Sequence, residues 1–208
     1  MCSNPFVSVC SLLLVTISGS GEEFNTAGKS YLSFDIGVAL QSDLQVKQVG
    51  GNSLNGVDLQ FDTGLRFDIA SGYHFTERFG AELSVGYVFN SVDGVTGVAP
   101  PGFGVDADLF QVPVMVNLIY KVRSELPIEP FLGGGAGGVL SVFSDSTGTR
   151  EEFAFGYQGF VGAKYRLSPR TEFTAVYKIL GTTDLVFAGF ETGGTLTHTF
   201  AIGVRCSF

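Results

Sequence analysis

From Tyr31 to the end of the chain, apolar residues trade places with small or polar ones at every second position. That is the period of a strand, not of a helix. At the C-terminus Phe200, Ile202, Val204, Cys206 and Phe208 alternate with Thr199, Ala201, Gly203, Arg205 and Ser207. Near the start of the pattern Leu32, Phe34, Ile36, Val38 and Leu40 alternate with Ser33, Asp35, Gly37 and Ala39. A second segment sets Leu59, Phe61, Leu65, Phe67 and Ile69 against Gln60, Asp62, Gly64, Arg66 and Asp68. Segments starting at Phe79, Phe110, Phe153 and Phe173 repeat the arrangement. An eighth segment, Pro130 to Phe143, carries Gly133, Gly134, Gly135, Gly137 and Gly138, and its phase stays ambiguous.

Eight segments of about ten residues are what tilted strands need to cross a bilayer. The connections alternate in length. Short ones fall at Thr76 to Arg78, Arg123 to Pro127 and Ser168 to Arg170. Longer ones rich in turn residues fall at Gln41 to Val57, Asn90 to Ala107, Ser144 to Arg150 and Gly181 to Gly194. Short turns on one side and longer loops on the other, with an even strand number, predict an all-β, transmembrane, antiparallel up-and-down β-barrel of about eight strands. Whether Leu44 to Asp58 forms a further hairpin above the membrane is left open by the pattern. The competing architecture is a soluble eight-stranded barrel, whose apolar face turns inward. Here the polar faces carry many glycines, alanines and isolated charges, too few for a solvated exterior.

Composition sharpens this picture. Phenylalanine occurs 20 times and glycine 29 times, charged residues are 15% of the chain, and no apolar run reaches the roughly 18 residues of a membrane helix. A net charge of −8 with no basic stripe argues against nucleic acid. His74 and His198 are the only histidines and have no partner at ligand spacing, so no metal or other cofactor is expected. Residues 1–20 read as a signal peptide, with an apolar core from Phe6 to Ile17 and small residues Ser18 to Ser20 at the cleavage point, though no Lys or Arg precedes the core. Residues 21–30 then form a short periplasmic segment and residues 31–208 the barrel. Removal of Cys2 and Cys10 leaves Cys206 as the one thiol of the mature chain.

The stretches "FQVPVMVNLIYKV" followed by "PIEPFLGGGAGG", and "YQGFVGAKYRLSPRTEFTAVYKIL", resemble the small outer-membrane β-barrels grouped with the OmpA transmembrane domain and the OmpX-type and Opa-type proteins. The terminal "HTFAIGVRCSF" is similar to that family's C-terminal signature, which implies that Phe200, Ile202, Val204, Cys206 and Phe208 are read by the barrel-assembly machinery. The resemblance spans Tyr31 to Phe208. It implies a bacterial outer-membrane location, reached through the periplasm, among lipid and lipopolysaccharide. Small barrels of this kind serve as anchors, narrow pores, adhesins and lipid enzymes, so the role is left to the sites.

Three sets of residues are candidates. Asp35, Asp62, Arg66, Asp68, Glu82, Lys121, Lys164, Glu172, Lys178 and Arg205 fall on the inward face. Buried charges without partners are costly, so they are expected to pair in a network inside an interior only wide enough for side chains. The alternative is that they line a narrow aqueous path. The loop side is acidic, with Asp43, Asp58, Asp93, Asp106, Asp108, Asp145, Glu151, Glu152, Asp184 and Glu191 against Lys47 and Arg150. Pro100 and Pro101 stiffen the second long loop and place Phe103 at its tip, where it either contacts a surface ligand of a host or packs over the barrel mouth. Catalysis is not expected. Thr197 and Thr199 flank His198, but neighbouring strand residues face opposite sides. Together these features point to a monomeric structural envelope barrel with surface loops. A narrow porin, which the five glycines around Gly135 would favour by widening the lumen, and a surface-binding module are the alternatives.

Overall fold

The computed structural model describes residues 27–53, 56–97, 107–124, 127–146, 148–187 and 190–208. The expected signal peptide, Asp106, Pro100, Pro101 and Phe103 lie outside the described residues. In chain order the strands are β1 Ser30–Gln41, β2 Leu44–Val49, β3 Asn52–Ser53, β4 Asp58–Phe61, β5 Gly64–His74 and β6 Phe79–Thr96. They continue with β7 Ala107–Lys121, β8 Ile128–Asp145, β9 Gly148–Arg166, β10 Thr171–Phe187 and β11 Phe190–Ser207. Every pairing is antiparallel. The eight long strands form a ring of hydrogen-bonded neighbours in chain order, β11 returning to β1 and β1 to β5.

Alternation explains why these segments take this form. On β1, Leu32, Phe34, Ile36, Val38 and Leu40 point out and are exposed, while Ser33, Asp35 and Ala39 are buried inside. Through the ring the other seven long strands likewise expose apolar or small residues outward, while their inward positions mix polar side chains with a few apolar ones such as Ile119, Phe131 and Val176. An apolar exterior around a polar interior suits a ring surrounded by hydrocarbon, where every backbone group must find its partner within the protein. The short turns lie at one end. Thr76 Oγ1 accepts from the N–H of Phe79 at 2.9 Å, and Ser168 Oγ from that of Thr171 at 3.1 Å. The Phe208 N–H donates to the Ser30 carbonyl at 3.0 Å, which brings both ends of the ring to that same side.

At the opposite end the long connections differ from expectation. Of the residues expected to loop, 144–145, 148–150, 181–187 and 190–194 instead continue as strands, so that β8–β9 and β10–β11 are long hairpins. The first connection holds the three short strands: β2 pairs with β11, β3 and β4, and β4 pairs with β6. This extension reverses the polarity of the ring below it. Leu44, Val46, Val57, Leu59, Val92, Leu109, Phe143, Leu185 and Phe187 point inward and pack as one buried cluster. Outward positions such as Gln45, Asp93, Glu151 and Asp184 are exposed.

On β6 to β9 the reversal is a change of residue type at constant phase. Elsewhere the chain slips. Odd residues face in along β1 but even ones along β2; Leu59 faces in although its phase relative to Arg66 assigns it outward; β10 has register shifts around Asp184. The second sequence segment is therefore two strands, and its single continuous phase is corrected. Leu109 sits fully inside the outer cluster, so Leu109→Ala is expected to cost about 2–5 kcal/mol. Limited proteolysis should then cut the outer hairpins while the lipid-embedded ring stays resistant; equal resistance in both proteins would count against an independent outer core.

Candidate functional site

The interior charges lie in the lower and middle part of the ring. Arg66 donates through Nε and Nη2 to the two carboxylate oxygens of Asp68 at 2.9 and 3.0 Å, a bidentate fork. Lys178 reaches across from β10 and bridges Asp68 at 2.9 Å and Asp35 at 3.0 Å. Thr174 donates to the other Asp35 oxygen at 3.0 Å. Gln158 accepts from Arg66 at 3.3 Å and donates to Asn117 at 2.6 Å; Asn117 in turn donates to Glu82 at 3.3 Å. Glu82 also accepts from the Tyr31 hydroxyl at 2.8 Å and faces Arg205 at 3.5 Å, whose guanidinium lies 4.0 Å over the Tyr31 ring.

Nearer the short turns, Lys164 pairs with Glu129 at 2.9 Å and Glu172 at 3.4 Å, and Lys121 stands 3.9 Å from Glu129. Arg66 and Lys164 are only 1% and 2% exposed. Above the charges comes an uncharged layer. There Gln111 donates to Thr195 at 3.0 Å, and Thr197 donates to Gln41 at 2.6 Å. The apolar cluster of the outer extension follows above that.

Nine of the ten inward charges named from the sequence are buried inside the ring. Asp62 is the exception. It lies exposed in the break between β4 and β5, where its backbone N–H donates to Ser91 and its carbonyl accepts from Asn90, and it adds to the acidic outer rim. The charge that takes its place inside is Glu129, on the glycine-rich strand whose phase the sequence left ambiguous. With that exchange five carboxylates face five cations. The linking groups Tyr31, Asn117, Gln158 and Thr174 were visible only as polar-face positions, because the periodicity says which way a side chain points but not what it meets across the lumen.

The glycines of β8 do not widen the lumen. Gly134 and Gly138 lie on the outward face, and a Cβ on Gly138 would fall 2.2 Å from the Phe153 ring. Inward, a Cβ on Gly133 would meet the Phe160 ring at 2.4 Å and one on Gly135 the Asn117 amide oxygen at 2.3 Å. Gly72 makes the same room for Tyr31 at 2.2 Å. Missing side chains here are replaced by rings and amides from neighbouring strands.

On the outer surface Phe200, Ile202, Val204, Cys206 and Phe208 form one exposed stripe of β11, and Cys206 is a free thiol. His198 shares this face and its Nδ1 lies 2.7 Å from the Tyr177 hydroxyl, whereas Thr199 is buried inside. The two therefore stand on opposite sides of the wall. Among the described residues no cluster of His, Cys, Asp and Glu has the grouping of a metal site.

Comparison with known proteins agrees with this architecture. The chain is similar in structure to the outer membrane protein OprG from Pseudomonas aeruginosa, with a TM-score of 0.64 at 18% identity over 88% of this chain and 97% of that one. It is also similar to Neisserial surface protein A, with a TM-score of 0.59 at 17% identity over 86% and 97%. The outer membrane protein AlkL gives 0.53 at 20% identity over 94% and 97%. At these identities the likeness is one of fold. No curated protein matches the sequence. The family described as outer membrane protein beta-barrel domain matches residues 11–208, nearly the whole chain. With its apolar exterior, its ring of eight long strands and this match, the chain belongs to the outer membrane protein beta-barrel domain family.

Proposed function

We propose that this outer-membrane barrel is a non-conducting, non-catalytic component of the envelope whose outer hairpins are its working surface. The burial of the interior charges carries this reading. In an aqueous pore, luminal charges stay hydrated; here Arg66 and Lys164 are almost wholly withdrawn from solvent and held by carboxylates. A cavity among Asp35, Glu82, Gln158, Thr174, Lys178 and Arg205 has about 20 Å3 of room, roughly one water molecule. The apolar cluster above it is a second obstruction to ions.

Under this reading the protein works as a monomer, its lipid partners are outer-membrane lipid and lipopolysaccharide, and the β11 stripe ending at Phe208 is the assembly signal. The N-terminal residues act as the export signal. Refolded protein in a planar lipid bilayer is expected to give no reproducible single-channel steps. Stable steps would show an open interior and move the luminal charges from structural ballast to selectivity elements.

A further inference from the structure

The ladder between β9 and β10 runs from Arg166–Glu172 to Gly156–Thr182 and then stops. Its eleven residue pairs match the roughly 9–11 residues that a tilted strand needs to cross hydrocarbon. Above that level β9 continues with β8 as its ladder partner, and β10 continues with β11. Among the described residues, 151–155 of β9 and 184–187 of β10 therefore have no ladder partner on the edges they turn toward each other, although Ala154, Leu185 and Phe187 share the cluster inside. Elsewhere in the outer extension the described residues pair β8 with β7, β6 with β4, β4 with β2 and β2 with β11. Among the described residues this opening lies above the eleven-pair ladder, at a level where water can solvate the edge.

An edge of this kind is a template for another strand. Its surroundings say which strand. Phe153 and Phe155 stand 70% and 56% exposed along the outward side of β9. Glu151 is exposed at the same edge and Glu152 half-exposed beside it. The cations of this corner are already engaged, Lys47 by Asp184 and Arg150 by Asp145 at 2.8 Å. A second copy of the chain paired edge to edge would bring its own Glu151 and Glu152 to this edge, like charge against like.

We propose that the β9 edge at residues 151–155 takes up an extended, cationic segment of a partner protein outside the cell, as an added strand. Main-chain hydrogen bonds supply the attachment. Basic side chains at alternate positions of the segment meet Glu152 on one side of the added strand, and apolar ones cover Phe153 and Phe155 on the other. This deepens the reading of the hairpins as the working surface and rests on it.

The test uses the full chain refolded in zwitterionic nanodiscs, with amide exchange followed residue by residue. In the protein alone, gap-facing amides among residues 151–155 are expected to exchange freely while those bonded to β8 are protected. Protection of all of them, in dilute or in concentrated protein, would mean the edge is already paired to β10 or to a second copy, and would overturn the proposal. A short peptide of alternating lysine and valine is then added. It is expected to protect the gap-facing amides, and the double substitution Glu151→Lys, Glu152→Lys is expected to weaken its binding about tenfold or more. No added protection, or equal protection by a proline-interrupted peptide of the same composition, would also overturn it. A conducting barrel that still binds the peptide would defeat only the non-conducting reading; a silent barrel that does not bind would defeat only this one.

Discussion

Asp68→Ala is expected to destabilise the folded barrel by about 3–5 kcal/mol, the largest effect of any single charge in the interior. Asp68 accepts both arms of the Arg66 fork and one bond from Lys178. Removing it leaves the Arg66 guanidinium without a carboxylate, 1% exposed and hydrogen-bonded only weakly to Gln158 at 3.3 Å. Lys178 keeps Asp35, so the loss falls mainly on Arg66. Loss of the heat-resistant folded band on electrophoresis, or a urea midpoint in lipid vesicles, measures it. A second protein separates pairing from packing. Replacing the fork as a whole, Arg66→Met with Asp68→Leu, removes both charges and should recover much of the loss. If Asp68→Ala melts at the wild-type temperature, the interior charges are hydrated and the filled-lumen account fails.

Gly135→Val should be comparably damaging, and its sign distinguishes two accounts of the glycine-rich strand. Were these glycines spacers that hold a pore open, valine would narrow a channel and leave the wall intact. In the structure a Cβ at Gly135 falls 2.1 Å from the Val116 carbonyl oxygen as well as against Asn117. The strand must shift or Asn117 must leave, and Asn117 connects Gln158 to Glu82. Overpacking of this kind costs about 1–3 kcal/mol or more, and here the lost hydrogen bonds add to it. Gly159, where an added Cβ meets nothing within 4 Å, is the matched control and should accept alanine with little change in unfolding midpoint. Equal tolerance at both positions would contradict the packing described for β8.

Much of the lipid-embedded ring was legible because lipid imposes one rule on eight strands: apolar residues out, period two. On that rule Asp35, Arg66, Asp68 and Lys178 face inward, and all four are buried in the ring. It failed at Asp62 and Leu59, where extrapolating the Arg66 phase across two residues crossed from a region with an apolar exterior to one with an apolar core. Strand alternation looks identical in both, so nothing in the pattern marks the crossing. The hairpin tips were read as loops because Ser144, Asp145, Gly148 and Thr149 are turn-forming and polar; they are strand residues whose outward face meets water. Glu129 was missed for another reason, since glycines on both faces erase the alternation that would have oriented it.

Among the described residues the chain slips phase after Gln41, between Phe61 and Gly64, around Asp184 and between Thr192 and Thr195, and these places have a bearing on immersion. They are a waterline written into the backbone. Counting residues from the short turns to these marks gives the draught of the barrel, and each added pair of strand residues below a mark would raise the outer hairpins by about 5 Å. Relatives built for a thicker or thinner bilayer should carry the same slips at a different count from the turns, with the hairpins above riding unchanged.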